Sequence, residues 1–492
     1  MKSSEIENEK TRIKDTLTIR NKCPVSKECG GCSFAGRTYF EQAVAKEKRV
    51  SNLLSDHCEV LPIFYCDQPL YYRNKVHSQF KRLRNGHVIV GPYEAHSHKI
   101  IEVESCLIEN RTASSIIRDC AKLAERLNVE IFDEVKRTGD LRRVLVRTAD
   151  ATGEVMVVLI IGSKYFKKKK AFCDELLKLH PEITTLLINI NTRQDSMILG
   201  SGEIKKVTGN GYITDIVLGR KFRVSPDSFM QSNRHQAEYL YSEAIRLAEF
   251  RGEETCIDAY CGTGSTTLSF ANYVGSITGV ELNGSAFRDA LKNTAANKIR
   301  NAEFVLGDAT LYMEKLARTD TKVDVVILDP TRKGTTVKFI KACSKLAPPK
   351  VVYISCCPET LARDLKIFEK QGYIARIAEP VDMFPWTDSV ETVVILSKLS
   401  NAPKIEVKIK MSELDLTEAE AKATYDEIQE YVKQQTGLHV THLNIAQIKR
   451  KHGIIERVNY NLPKCESPRR PNCPPEKEKA IVAALKHFKM IE

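Results

Sequence analysis

The sequence predicts an α/β chain dominated by a parallel, doubly wound sheet, and three stretches of pattern predict it. From Cys256 to about Lys398 short apolar runs alternate with helical patterns, which is how strand–helix–strand units build a parallel sheet. Between about Tyr71 and Leu218 the runs are β-type and broken by Gly and Asn, as in Val88-Ile89-Val90-Gly91, Val144-Leu145-Val146-Arg147 and Val155-Met156-Val157-Val158-Leu159-Ile160-Ile161. That stretch reads as an α+β region. After about Ile405 the chain is rich in Lys and Glu and reads as helices at 417–435, 443–452 and 476–489, with a Pro-rich turn at 468–475.

A chain of 492 residues exceeds one compact core, and 42% hydrophobic residues can supply several. The expected divisions are a cysteine-bearing segment over 1–43, an α+β domain over 44–218, the parallel-sheet domain over 219–400 and a helical extension over 405–492. Apolar runs such as Val323-Asp324-Val325-Val326-Ile327-Leu328 fall far short of the roughly 20 residues of a membrane helix. Residues 1–10 are charged and lack the apolar core of a signal peptide, so the expected location is the cytosol, with no membrane partner. In that reducing compartment the 15 cysteines are core residues, ligands or nucleophiles rather than a disulfide framework. The net charge of +12 is compatible with a polyanionic partner such as nucleic acid and equally with a basic protein that touches none. The basic run at 164–170 reads as a solvated face.

Two groups of cysteines need separate explanations. Cys23-x5-Cys29-x2-Cys32 has the spacing of a metal or cluster site, and that spacing alone leaves zinc and iron–sulfur both open. Cys356, in Tyr353-Ile354-Ser355-Cys356-Cys357-Pro358-Glu359-Thr360-Leu361-Ala362-Arg363-Asp364, stands where an apolar strand turns into a helix. The plain reading is a small buried hydrophobe. The reactive reading rests on the helix amino terminus, which favours a thiolate. Pro358 makes the turn abrupt, and Cys357 is read as structural.

Cys256-Ile257-Asp258-Ala259-Tyr260-Cys261-Gly262-Thr263-Gly264-Ser265 is a strand entering a glycine turn before a helix, without the full dinucleotide pattern. Further on, Ile277-Thr278-Gly279-Val280-Glu281 ends in an acid placed to grip ribose hydroxyls, or simply to cap the next helix. Together they favour an adenosine-type ligand with little demand for phosphate binding, such as S-adenosylmethionine. Strands ending in Gly307-Asp308, Asp329-Pro330-Thr331-Arg332-Lys333-Gly334 and Ser355-Cys356 would line the same rim. No helix separates the strand at 373–378 from the last one at 393–396, so the two should run antiparallel. That brings Glu391, otherwise an ordinary rim acid, to the rim that carries Cys356.

At these residues the chain resembles the bacterial RNA uridine-5-methyltransferase family, over about residues 23–398. The matching pieces are Phe222-Arg223-Val224-Ser225-Pro226-Asp227-Ser228-Phe229-Met230-Gln231-Ser232-Asn233, the Asp258 to Gly264 loop, Asp329 to Gly334, Ser355 to Asp364, and Asp382-Met383-Phe384-Pro385-Trp386-Thr387-Asp388-Ser389-Val390-Glu391-Thr392. The resemblance implies a Rossmann-like class I methyltransferase in which Gln231, Tyr260, Glu281 and Asp329 contact S-adenosylmethionine. It makes Cys356 the nucleophile and Glu391 the general base. The chemistry needs both: a thiolate added to carbon 6 of uracil makes carbon 5 nucleophilic, and a base must then remove the carbon 5 proton. The base must also leave its stack to be reached.

The amino-terminal cysteines are similar to the branch of this family that carries a four-iron four-sulfur cluster, with Cys106 as fourth ligand beside Cys23, Cys29 and Cys32. That branch implies 23S ribosomal RNA as substrate. The branch without a cluster implies the transfer RNA T-loop, which stands as the alternative, with a monomer expected either way. A cluster-bearing RNA-binding protein with a decayed site is a third reading, and the x5 spacer departs from the C-x3-C-x2-C of radical methylases. The chain also departs from its relatives. Little sequence precedes Cys23, so no β-barrel RNA-binding domain is expected, Thr331 replaces a Pro, and Ser389 replaces a His. Lys449-Arg450-Lys451-His452 would be a substitute RNA grip or a solvated helix face.

Overall fold

The computed structural model describes residues 16–195, 197–399, 425–451, 474–488 and 490. It divides into two compact units, Met1–Ser400 and Asn401–Glu492.

In the first unit an eight-stranded sheet runs in the order Glu59–Val60, Tyr373–Val381, Glu391–Lys398, Lys350–Ser355, Val325–Leu328, Thr255–Ala259, Ser276–Glu281, Ala302–Leu306. The last five of these are mutually parallel. The apolar residues of each strand serve two cores. Ile257, Ala259, Val326, Leu328, Val351 and Tyr353 pack on one face, and Cys256, Val325, Ile327, Val352 and Ile354 on the other. Burial on both faces is why these strands read as continuous apolar runs rather than as alternation. The chain starts in the middle at Thr255–Ala259, extends outward on one side, then returns to Val325–Leu328 on the other. This reversal opens a crevice at the carboxyl ends of those two strands. The last strand is antiparallel to both its neighbours, as the missing helix predicts.

A second, six-stranded sheet runs Val88–Gly91, Lys75–Arg82, Leu141–Thr148, Val155–Ile161, Ile183–Ile190, Ile204–Thr208. Its one face is covered by the helices Arg111–Arg126 and Lys169–Leu179. Its other face packs Leu145, Met156, Val158 and Leu187 on Ile213 and Val224, which belong to the hairpin Ile213–Val217/Arg220–Val224. This is the α+β region of the sequence.

The amino-terminal segment is built into the large sheet. The helix Tyr39–Leu54 opens with a capping box between Thr38 and Glu41 and runs across the expected boundary at residues 43 and 44. Its buried Ala43, Val50 and Leu54 join the core of the large sheet, and Glu59–Val60 pairs in parallel with Tyr373–Val381. The periodicity reveals such a helix but not the surface on which it lands. Its Lys46 Nζ meets Asp382 Oδ1 at 2.5 Å with side chains 1% and 0% exposed, and also donates to the Phe384 carbonyl at 2.9 Å. Gln42 Nε2 donates to Asp382 Oδ2 at 2.7 Å.

In the second unit the helices Tyr425–Thr436, His442–Lys451 and Pro475–His487 bury Ile428, Val432, Ile445, Ile448, Ile481 and Leu485 together. Residues 417–424, 468–473 and His452, parts of the expected helices and turn, lie outside the described residues. Of the basic run there, Lys449 is buried and Lys451 pairs with Glu478. Among the described residues no helix is long and apolar enough to cross a membrane.

Lys46→Met leaves a buried carboxylate short of its cation, a loss of about 3–5 kcal/mol for a broken buried pair. Urea unfolding followed by the fluorescence of Trp386, the chain's only tryptophan, should show the transition at markedly lower denaturant. An unchanged transition would contradict this account of the helix.

Candidate active site

The antiparallel ladder pairs Ser355 with Thr392, so Cys356 and Glu391 stand next to each other at one rim of the sheet. Asp329 ends the neighbouring strand on that rim. The charges of Glu391 and Asp329 both act on Cys356. Burial first, then these two carboxylates, pushes the thiol up to about 12. The expectation that a helix amino terminus would favour the thiolate is therefore not met at Cys356. It is Cys357, not Cys356, that caps the helix Pro358–Lys370, and desolvation beside two anions outweighs a helix end.

Glu391 is 2% exposed, and its Oε2 has no hydrogen-bond partner. Burial and then Asp329 hold its carboxyl well above the usual range, opposed by Arg332. Burial raises Asp329 in the same direction. Asp258, on the adjacent strand, is fully buried and pushed up to about 8 by burial, although Thr267 Oγ1 donates to its Oδ2 at 2.6 Å. Arg332 is the cation whose charge reaches both Cys356 and Glu391. Its Nη2 donates to Ser389 Oγ at 3.1 Å, and its carbonyl accepts from Thr360 Oγ1 at 3.2 Å. The sequence reading quoted Arg332 within a motif without giving it a part. The signal available was that it is the arginine of an Asp-x-x-Arg turn at a strand end.

Of the residues expected to meet S-adenosylmethionine, Tyr260, Glu281 and Asp329 stand at or just past the carboxyl ends of adjacent strands. Tyr260 sits at φ 71°, and its hydroxyl shares a hydrogen bond with Thr335 Oγ1 at 3.0 Å. Glu281 accepts from the Gly262 amide at 2.9 Å and from the Asn283 amide at 2.6 Å. Its carboxylate thus braces the glycine turn, while Asn283 caps the following helix, so the capping alternative for Glu281 is not what forms. At Gly264, φ 80°, a Cβ would press on the Phe304 ring, which is why that turn needs glycine. Gln231 is buried, and its Oε1 lacks a partner. Asp258 and Glu391, both raised and both acted on by Asp329, each keep an orphaned oxygen, which leaves the rim short of positive charge and donors. These residues fit a cationic, hydrogen-bonding ligand such as S-adenosylmethionine.

Cys23, Cys29, Cys32 and Cys106 line one cavity of about 200 Å³, with Arg73 and Glu109. The Gly31 amide is aimed at the Cys29 sulfur, and the Ile108 and Glu109 amides at that of Cys106. Among the described residues, no group of three or more His, Cys, Asp or Glu is arranged to hold a metal ion. All described cysteines are free.

A family model for tRNA (uracil-5-)-methyltransferases matches residues 182–399. An uncharacterised RNA methyltransferase of Halalkalibacterium halodurans is 36% identical over 379 residues, which is 76% of this chain and 82% of the relative. One from Bacillus cereus is 37% identical over 383 residues, 77% of this chain and 83% of the relative. Among solved structures, the Pyrococcus abyssi tRNA (uracil-54, C5)-methyltransferase in complex with S-adenosyl-L-homocysteine aligns at TM-score 0.62 and 25% identity, covering 75% of this chain and 86% of that one. With its α/β class I methyltransferase fold and these relatives, the chain belongs to the RNA (uracil-5-)-methyltransferase family of S-adenosylmethionine-dependent enzymes.

Proposed function

We propose that this enzyme methylates carbon 5 of one uridine in 23S ribosomal RNA through a covalent adduct with Cys356. The observation that carries the catalytic part is the Ser355–Thr392 register, which sets a thiol and a buried carboxylate side by side at the crevice. S-adenosylmethionine supplies, when bound, a methyl group made electrophilic by a positive sulfonium, and Gln231, Tyr260, Glu281 and Asp329 would hold it. Cys356 adds to carbon 6 of the uracil, which makes carbon 5 the nucleophile. Once carbon 5 is methylated, Glu391 takes its proton, and the electron pair returns to the ring as the Cys356 sulfur departs.

The RNA contact falls to the α+β domain. Arg73, Lys75 and His77 line the cavity of the amino-terminal cysteines, with the Lys75 amine pushed down to about 7 by burial. Asn74, between Arg73 and Lys75, donates from its backbone amide to the Ser232 carbonyl at 2.8 Å, so this face leads to the loop of Gln231. Phe229 in that loop is 61% exposed, a ring available for base stacking.

Cys23, Cys29, Cys32 and Cys106 would hold a four-iron four-sulfur cluster, tying the amino-terminal segment to the loop at Cys106. Four thiols round one cavity, with amides aimed at them, support this reading. Zinc is the rival group for the same four thiols. The cysteine segment in turn supports ribosomal RNA. Transfer RNA is the second reading, favoured by the likeness to the Pyrococcus abyssi enzyme. Methyl-transfer assays on the two purified RNAs separate them, and activity on transfer RNA alone would reverse the assignment.

Cys356→Ala should abolish turnover while RNA affinity stays near that of the wild type, and Glu391→Gln should accumulate covalent enzyme–RNA on denaturing gels. Normal turnover by either variant removes its assigned role. Both groups act deprotonated and both are raised by burial, so each stays protonated to higher pH than usual. Covalent trapping by 5-fluorouridine RNA, which stops before any proton leaves carbon 5, should therefore accelerate steadily over roughly pH 6 to 9 as the Cys356 thiol ionises, whereas a rate that falls over that interval would show that this ionisation does not limit the reaction. Cys29→Ser should remove the brown visible absorbance of purified protein, and a colourless, zinc-loaded wild type would refute the cluster.

A further inference from the structure

The ladder that joins the two catalytic strands ends at Ser355 and Thr392. Cys356 and Glu391 stand one step beyond it: Glu391 is still paired with Val381 on its other side, while Cys356 has left its strand. A side chain from another element links these two segments. Arg49, on the helix Tyr39–Leu54, donates from Nε to Glu359 Oε1 and from Nη2 to Glu359 Oε2, each at 2.7 Å. Its Nη1 donates to the Asp388 carbonyl at 2.8 Å. Glu359 lies in the first turn of the helix that follows Cys356, and its carboxylate also accepts from Cys357 Sγ at 3.5 Å. Asp388 lies just ahead of Glu391 in the chain.

The same helix holds the start of that loop through Lys46 on Asp382 and Phe384, and through Gln42, whose Oε1 accepts from the Trp386 amide at 3.2 Å. Of these three residues of the helix, Arg49 reaches both the loop and the nucleophile's turn, two segments that Arg332 also touches through Ser389 and Thr360. Its pair with Glu359 is exposed, 37% and 48%, so it adds little to stability. A guanidinium can make all three bonds at once because its donors are fixed in a planar fork.

We propose that Arg49 is a positioning residue that sets the separation of Cys356 from Glu391. The proposal rests on the roles given to those two residues above. Arg49→Met should lower kcat about tenfold to a hundredfold, the range expected when reacting groups are misplaced without being removed. KM for RNA should stay within about twofold, and the melting midpoint should not move. Because the base is displaced from the adduct, covalent enzyme–RNA should accumulate on ordinary uridine RNA, which loss of folded protein would not produce. Arg49→Lys should restore only part of kcat, since an ammonium cannot span carboxylate and carbonyl together. Glu359→Gln should resemble Arg49→Met, and the double variant should be no worse than either alone. Unchanged kcat in Arg49→Met, or a fall in kcat that follows the melting midpoint without adduct, overturns the proposal. Wild type with 5-fluorouridine RNA is the control: if it forms no adduct, the uracil chemistry itself fails and the clamp with it. If it forms adduct while Arg49→Met turns over normally, the clamp alone fails.

Discussion

The catalytic rim depends on one ladder, the antiparallel pairing of Lys350–Ser355 with Glu391–Lys398. Were the last strand parallel like the other seven of the sheet, Glu391 would start at the opposite end of the sheet from Cys356. Reversal of a single strand thus brings together groups far apart in sequence, and the backbone hydrogen bonds that fix it are buried on both faces. Everything added by the amino-terminal helix, the ion pair of Lys46 with Asp382 and the contacts of Arg49, refines the ends of that pairing.

The electrostatics of the rim follow from its geometry. Asp258, Asp329 and Glu391 are carried there by strand ends, and burial raises all three. Arg332 alone opposes that accumulation at both Cys356 and Glu391. Burial and two neighbouring carboxylates hold a thiol in such surroundings protonated, and the same anions would attract a sulfonium.

Much of this was legible in the sequence because strand ends carry distinctive residues. Glycine turns, an Asp-Pro step and a Cys-Cys-Pro turn each marked a point where a strand met the rim, and the missing helix before Val393 revealed the reversal. The direction of the Cys356 shift was not legible, because it depends on desolvation beside Asp329 and Glu391, which no local pattern reports. Nor was the destination of the helix Tyr39–Leu54: its periodicity showed an apolar face but not which sheet would receive it. Glu59–Val60 is too short to announce itself as a strand. Arg49 and Arg332 were visible only as charges, since a guanidinium's partners are set by tertiary structure.

The edge strand Glu59–Val60 also bears on how the molecule is made. It pairs with Ile377 and Ala378, which leave the ribosome long after it does, so the early segment has to wait, unpaired, for almost the whole of the unit to be synthesised. Contacts this distant along the chain close slowly, and a nascent strand left open invites wrong pairing. Two residues offer few backbone groups for such errors. The brevity of that strand is itself a safeguard, and competence for chemistry arrives only once the final strand of the sheet has been delivered.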